Sequence, residues 1–279
     1  VIVHAEFGKE VVRYDVALNK DDFQLGHVFG MGEESNTDVM LDCNSLTMHT
    51  FITGSTGSGK SNTVYEILNQ LRTLYRIPFL VIEPAKGEYK NIFGQYADVN
   101  VYGTNPNLTN LLRINPFSFP KDIHVLEHID RLVEIFNVCW PMYAAMPVIL
   151  KEALERAYIS NGWDINRSVN DTIDRFPNFI DLLEQIKIII NESHYSSDSK
   201  ADYSGALMTR VRSLTTGLNG QIFSNESISD YDLFDKCVII DLSRIGSLET
   251  KSLIMGLLVM KLNEYRMVSG RINSPLKHI

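Results

Sequence analysis

Eight consecutive residues constrain this chain more than any others: Gly54-Ser55-Thr56-Gly57-Ser58-Gly59-Lys60-Ser61. They fit G-x-x-x-x-G-K-S at every position. The apolar run Met48 to Thr53 precedes them and reads as a strand. Behind them, Val64, Ile67, Leu68, Leu71, Leu74 and Tyr75 recur at helical spacing within Asn62 to Tyr75. Strand, glycine turn and helix, in that order, make the setting a phosphate loop needs. Without a Cβ, Gly54, Gly57 and Gly59 let the backbone curl round a bulky anion at positive φ. The N–H groups of that curl and of the first helical turn then point at phosphate oxygens. Lys60 brings a compact charge to the β- and γ-phosphates, and Ser61 offers a hydroxyl to Mg²⁺. The expected nucleotide-binding set is Gly54, Ser55, Thr56, Gly57, Ser58, Gly59, Lys60, Ser61 and Asn62. The plainer alternative is a glycine-rich turn that caps a helix and binds nothing. Agreement of both spacing and context argues against it.

Two further apolar runs read as strands that end in acids. Phe79-Leu80-Val81-Ile82, set off by Pro78, leads into Glu83-Pro84-Ala85-Lys86-Gly87-Glu88-Tyr89. Ligands of open α/β sheets sit beyond the carboxyl ends of strands. That makes Glu83 a candidate to hold a Mg²⁺-bound water or to act as a catalytic base. An equally good reading is a solvated strand-end acid with Pro84 closing a turn. Cys237-Val238-Ile239-Ile240 ends in Asp241, a second candidate for the metal. Taken alone this resembles a Walker B strand, but Leu242 stands where the glutamate that orients an attacking water is usual. All three strands are expected parallel in one sheet, carboxyl ends toward the glycine loop.

Composition narrows the class. Hydrophobic residues make up 44% of 279, enough for a large core, and 22% charged residues give no sign of disorder. The net charge of −8 argues against a uniformly basic nucleic-acid binder and leaves room for a local patch. Cys43, Cys139 and Cys237 are widely spaced and read as reduced thiols of a cytosolic protein. The longest apolar run, Leu253 to Met260, is too short to cross a membrane and is expected as a buried helix. The chain opens on Val1 and stops at Ile279 in mid-pattern, as a fragment of a longer protein would.

The remaining segments organise around the loop. Strands are expected at Val1–Phe7, Val11–Val16, Val39–Leu41, Val99–Tyr102 and Leu276–Ile279, with a loop from Asn105 to Pro120. Helical patterns run over Asp122–Val138, Pro147–Ile159, Phe179–Asn191, Ala206–Leu218 and Leu248–Val268, with a polar break at Glu192–Asp202. Residues 1–47 thus form a β-rich lead-in. Residues 48–279 form one α/β domain with a mostly helical insertion at about 120–235. Three motif-like strings are weak. Asn19-Lys20-Asp21-Asp22 matches the guanine-reading N-K-x-D, but it precedes the phosphate loop. Its D-x-x-G partner at Asp202 to Gly205 has no apolar strand leading into it, so GTP is not adopted. His124-Val125-Leu126-Glu127-His128 spells an inverted zinc-protease motif, yet no third ligand is marked. A surface face of an amphipathic helix is the better reading. Arg210 and Arg212 read as exposed helical arginines, within reach of a neighbour's phosphates or DNA.

Together, Phe51 to Asn62, Val81 to Tyr89 and Asp241-Leu242-Ser243-Arg244-Ile245-Gly246, with His49 just before the first, resemble the HerA branch of the HerA–FtsK ATPases. The resemblance implies a RecA-like P-loop NTPase fold, that is, a mainly parallel α/β sheet. It also implies ATP with Mg²⁺, a hexameric ring, movement of double-stranded DNA, and a partner nuclease in DNA processing or phage defence. Lys60 and Glu83 are the catalytic candidates; Ser61 and Asp241 are the metal candidates. In this family the acidic Walker B strand and an arginine finger come later than the strand matching Cys237–Asp241, so both are expected beyond Ile279. Hydrolysis by the fragment alone is then expected to be slow. Two other functions stand beside it: an ATPase of conjugation or type IV secretion, and a nucleotide-binding assembly module that hydrolyses little.

Overall fold

The computed structural model describes residues 22–30, 32–171 and 175–269. The strands expected at Val1–Phe7, Val11–Val16 and Leu276–Ile279 lie outside them, as does most of Asn19–Asp22. The described chain begins with an antiparallel hairpin, β1 (Asp22–Gly30) and β2 (Glu33–Asp42). The glycine loop then opens α1 (Lys60–Gln70), which a π-helical turn, Leu71–Tyr75, prolongs. Next come β3 (Leu80–Glu83), α2 (Tyr89–Phe93), β4 (Val99–Gly103) and a short β5 (Asn110–Leu111). Asn110 and Leu111 fall in what reads as pure loop, and pair there with the end of β4.

The helical stretch follows: α3 (Val125–Cys139), α4 (Met146–Ser160), α5 (Phe179–Glu192), α6 (Ser197–Tyr203), α7 (Thr209–Leu214), α8 (Gly217–Ile222) and α9 (Asp230–Phe234). A small hairpin, β6 (Trp163–Asp164) and β7 (Val169–Asn170), interrupts it after α4. The polar break at Glu192–Asp202 is itself helical from Ser197, started by Ser196, whose hydroxyl accepts from the Ser199 N–H. Asp202 to Gly205 run from α6 into the π-helical turn Ser204–Met208, so they do not form a switch loop at a strand end. The chain returns through β8 (Cys237–Asp241) to α10 (Leu248–Val268).

Four parallel strands form the main sheet, in the order β3-β8-β4-β5. Side chains alternate faces along a strand, and both faces of β8 are covered. Val238 and Ile240 point into a large core shared with α3, α4, α5, α7 and α10. Cys237 and Ile239 point into a second core with Leu68 of α1, Phe79, and Phe93 of α2. That is why Cys237 to Ile240 read as an unbroken apolar run, and it makes the fold a three-layer α/β arrangement. The hairpin packs through Phe23 on Ile67 of α1 and Leu71 of the π-helical turn. Caps set the helix starts: Asn178 and Asp181 form a capping box at α5, and the Ser247 hydroxyl accepts the Thr250 N–H at α10.

Two expectations need correction. β3 and β8 are parallel as expected, in register from Leu80 with Val238 to Glu83 with Asp241, but Met48–Thr53 is not a strand. Among the described residues it joins no ladder, and Met48 and Phe51 are 67% and 89% exposed. Apolar residues alone do not make a strand; its N–H and C=O groups need a neighbouring strand, and among the described residues none pairs with this segment. In α10, Leu253, Ile254, Leu257 and Leu258 are buried, whereas Val259 is 57% exposed. A helix packed on one side leaves a stripe in solvent even within an apolar run.

His128 is the other surprise, since it is fully buried and not on a surface face. Its Nδ1 lies 2.9 and 3.0 Å from the two carboxylate oxygens of Glu264, and its Nε2 lies 3.1 Å from the Pro116 carbonyl oxygen. Arg131 donates to the same carboxylate at 2.9 Å. His124 does something different: it caps α3, its Nδ1 accepting the Leu126 N–H. The two histidines therefore do not converge on a metal. Burial pushes the His128 pKa below its ordinary 6.5, outweighing the pull of Glu264. Burial pushes Glu264 up, but His128 and Arg131 outweigh that and leave it below its ordinary 4.5.

Both shifts act in one direction. As pH falls below about 6.5, the unfolded chain takes the His128 proton before the folded one does. Below about 4.5 the same holds for Glu264. Stability contributed by these groups is complete above those values and is lost as pH falls through the folded pKa values. Urea midpoints measured from pH 7.5 down to 4 are expected to decline, with His128→Gln removing the upper part of the decline. A flat profile would contradict this arrangement.

Candidate nucleotide site

The glycine loop is shaped by left-handed backbone. Gly57 and Gly59 take φ of 82° and 88°, a region that side-chain-bearing residues rarely occupy. Gly59 is the N-cap of α1 and uses no side chain, so the first N–H groups of the helix are left for a ligand. Lys60, the first helical residue, folds back over the loop. Its Nζ donates to the carbonyl oxygens of Gly54 at 2.7 Å and Ser55 at 2.6 Å. The ammonium is thus already on the concave side of the loop, where it can exchange these carbonyls for phosphate oxygens.

Ser61 and Tyr65 are four residues apart and share one face of α1. Burial raises the Tyr65 pKa, and the charges of Glu88 and Glu83 raise it further. Its ring sits edge-on to Tyr89, with centroids 4.9 Å apart. Tyr89 itself is pushed up to about 12, by burial first and then by Tyr65, Glu83 and Glu88. The ring contact sets the turn after β3 against α1, one helical turn beyond Ser61.

Glu83 is neither solvated nor unengaged. It is 6% exposed, and its two oxygens accept the N–H of Glu88 at 2.8 Å and of Tyr89 at 3.1 Å. The carboxylate thereby closes the Pro84–Glu88 turn on itself and anchors the start of α2. Lys251 of α10 ties the same turn from outside, donating to the Pro84 carbonyl oxygen at 2.7 Å. Asp241 is also occupied. Lys90 donates to it at 2.5 Å and the Ser243 N–H at 2.9 Å. Burial raises the Asp241 pKa, but these donors outweigh it and the carboxyl lies below its ordinary range. Gly87 passes so close that a Cβ there would lie 2.9 Å from the Ser243 hydroxyl oxygen.

The structure thus collects Lys60, Ser61 and the Glu83 turn about the start of α1. Asp241 lies beside that turn, held by Lys90. Arg210 and Arg212 lie in α7, on the far helical stretch, and join none of these contacts. Sequence reading missed Tyr65, Glu88 and Lys90. For Tyr65 a signal exists, because it follows Ser61 by one helical turn. For Lys90 none does, because its partner Asp241 is 151 positions away.

A hard cation suits this environment. Ser61 offers an oxygen, and phosphates would supply more. Among the described residues, no group of three or more His, Cys, Asp or Glu side chains is arranged to hold a metal by itself. Mg²⁺ that arrives with phosphates and keeps most of its waters does not need one.

A three-layer α/β fold with a phosphate loop at a helix start defines a class, the P-loop proteins. Residues 23–262 match the family described as "Helicase HerA, central domain", and the chain belongs to that family. It is 36% identical over 111 residues to the probable helicase MJ1565 of Methanocaldococcus jannaschii, covering 39% of this chain and 21% of that protein. It is 25% identical over 235 residues to the DNA import protein CedB of Sulfolobus acidocaldarius, covering 81% of this chain and 33% of that protein. The chain thus spans a third or less of these relatives. Among solved structures it resembles VirB4 of Thermoanaerobacter pseudethanolicus, with a TM-score of 0.52 and 16% identity over 77% of this chain and 55% of that one. At that identity the likeness shows the fold.

Proposed function

We propose that this chain is the ATP-binding motor domain of a HerA-like ATPase that moves double-stranded DNA, working as a hexameric ring with a partner nuclease. The observation that carries it is the glycine loop, with Lys60 folded over its own carbonyls and α1 left without a side-chain cap. Family membership and a relative named as a helicase support the DNA part. In this reading Gly54 to Asn62 hold the triphosphate, and Lys60 neutralises charge at the β- and γ-oxygens. Ser61 contributes to a Mg²⁺ ion, which when bound shields the phosphates. Glu83 keeps the acidic turn in position; service as a base would require it to give up two backbone hydrogen bonds. Asp241 would have to exchange Lys90 for the cation. No described helix is long and apolar enough to cross a membrane.

A second reading has its own support. A relative named as a DNA import protein and the VirB4 fold favour a transfer ATPase of the conjugation kind, acting on single strands or protein. Steady-state ATP turnover by the intact protein, with double-stranded DNA, with single-stranded DNA and with neither, separates the two. Stimulation by duplex is expected. Stimulation by single strands alone would favour the second reading, and slow turnover indifferent to both would favour an assembly module.

A further inference from the structure

Helix α2 borders a polar pocket of about 490 Å³, within the usual range for a ligand site. α2 contributes Lys90 and Asn91, β4 contributes Asn100, and the approach to β5 contributes Thr109 and Asn110. Arg244, from the loop after β8, completes the lining. The segment before β5 is held in shape by its own bonds. The Asn105 side-chain oxygen accepts the Asn107 N–H at 3.0 Å, and the Asn105 carbonyl oxygen accepts the N–H groups of Leu108 at 3.1 Å and Thr109 at 3.2 Å. Gly103 lets Thr109 lie against the end of β4, because a Cβ there would come 2.4 Å from the Thr109 hydroxyl oxygen.

The charge of the pocket is one-sided. None of the residues that line it is acidic, and no Asp or Glu occurs between Asp98 and Asp122. Lys90 is already neutralised by Asp241. Arg244 is not: it is exposed, and among the described residues its guanidinium has no ion pair and no hydrogen bond. In the same acidic chain, Arg72, Arg113, Arg156 and Arg266 each hold a carboxylate. The carboxamides of Asn91 and Asn110 are exposed and equally without a side-chain partner among the described residues. A free guanidinium with carboxamides and a hydroxyl is a donor set suited to phosphate oxygens. We infer that this pocket binds a phosphate group, anchored by Arg244, supplied by a nucleic-acid backbone or by a second nucleotide. The backbone as source rests on the reading of a DNA-moving ATPase; the pocket itself does not depend on the glycine loop.

The experiment is an anisotropy titration of a labelled DNA duplex against the intact protein over a range of salt concentrations. Wild type, Arg244→Gln, Arg244→Lys and Asn110→Ala are compared, and calorimetry with a non-hydrolysable ATP analogue counts the nucleotides each one binds. Arg244→Gln should weaken duplex binding about tenfold and lower the salt-dependence slope by about one, the loss of one phosphate contact. Arg244→Lys keeps the charge and should keep the slope. Asn110→Ala should weaken binding less and leave the slope alone. If duplex binding is unchanged in Arg244→Gln but the variant lacks a second nucleotide that wild type binds, the phosphate is a nucleotide's and the pocket stands. If duplex affinity, slope and nucleotide count are all unchanged, the inference is overturned while the functional reading survives. Wild type that binds no duplex overturns the functional reading, and the nucleotide count then decides the pocket.

Discussion

Lys60→Ala will weaken triphosphate binding roughly ten- to a hundredfold, the loss of a charge-assisted contact of about 1.5–3 kcal/mol. Among the described residues, the ammonium hydrogen-bonds to the Gly54 and Ser55 carbonyl oxygens alone. Both belong to the exposed loop, so water can take the place of the lysine when it is removed. The fold should therefore survive the substitution, and the loss should appear in binding and not in the melting temperature. Calorimetry of ATP binding, paired with a thermal melt of each protein, reads both. Equal affinities in wild type and variant would mean that the loop is a helix cap and nothing more.

The largest effect on stability is expected far from that loop. Glu264→Ala strips the carboxylate from His128 and Arg131, leaving the buried imidazole only the Pro116 carbonyl oxygen and Arg131 only the more distant Glu127 at 3.5 Å. Breaking a buried pair by removing one partner costs about 3–5 kcal/mol. The nearby Lys261, buried and bonded to Ser118, keeps its own counter-ion in Asp230 at 3.3 Å, so the loss falls on His128 and Arg131. Urea unfolding should report a loss of that size without change of slope. Glu264→Gln keeps the shape and one acceptor oxygen, and should cost less. A loss under about 1 kcal/mol in Glu264→Ala would show that the network contributes little beyond packing.

These two sites differ in how far the sequence discloses them. The glycine loop is local: eight adjacent residues carry both the backbone geometry and the chemistry. Strands β4 and β8 and helix α10 were legible for the same reason, since each buries a contiguous or periodic apolar set of its own. His128 was not. Its partner Glu264 is 136 positions away, and a histidine at helical spacing carries no mark of which side faces the core. Met48–Thr53 failed in the opposite sense. Its residues have strand character, but strand formation is settled by a neighbour's hydrogen bonds and not by composition. Glu83 lay between these cases. Its place at a strand end was legible from Pro84 and the apolar run before it. Its bonds to the Glu88 and Tyr89 N–H groups depend on how the next turn closes.

The same contrast separates the two metal candidates. Ser61 is placed by the helix that starts beside it, so its position follows from the motif. Asp241 is placed by β8, but what it does is decided by Lys90 on α2, which neutralises it in this arrangement. Reading Asp241 as an unencumbered metal ligand would have overlooked that cation.

The central claim is that Gly54 to Asn62 take the phosphates of a nucleotide. A crystal structure with a non-hydrolysable ATP analogue and Mg²⁺ tests it most directly. The account predicts β- and γ-phosphates inside the loop, on the N–H groups of the first turn of α1. Lys60 Nζ should have moved from the Gly54 and Ser55 carbonyl oxygens to phosphate oxygens, with Ser61 next to the metal. Phosphates bound elsewhere, with Lys60 still closed on its own loop, would contradict it.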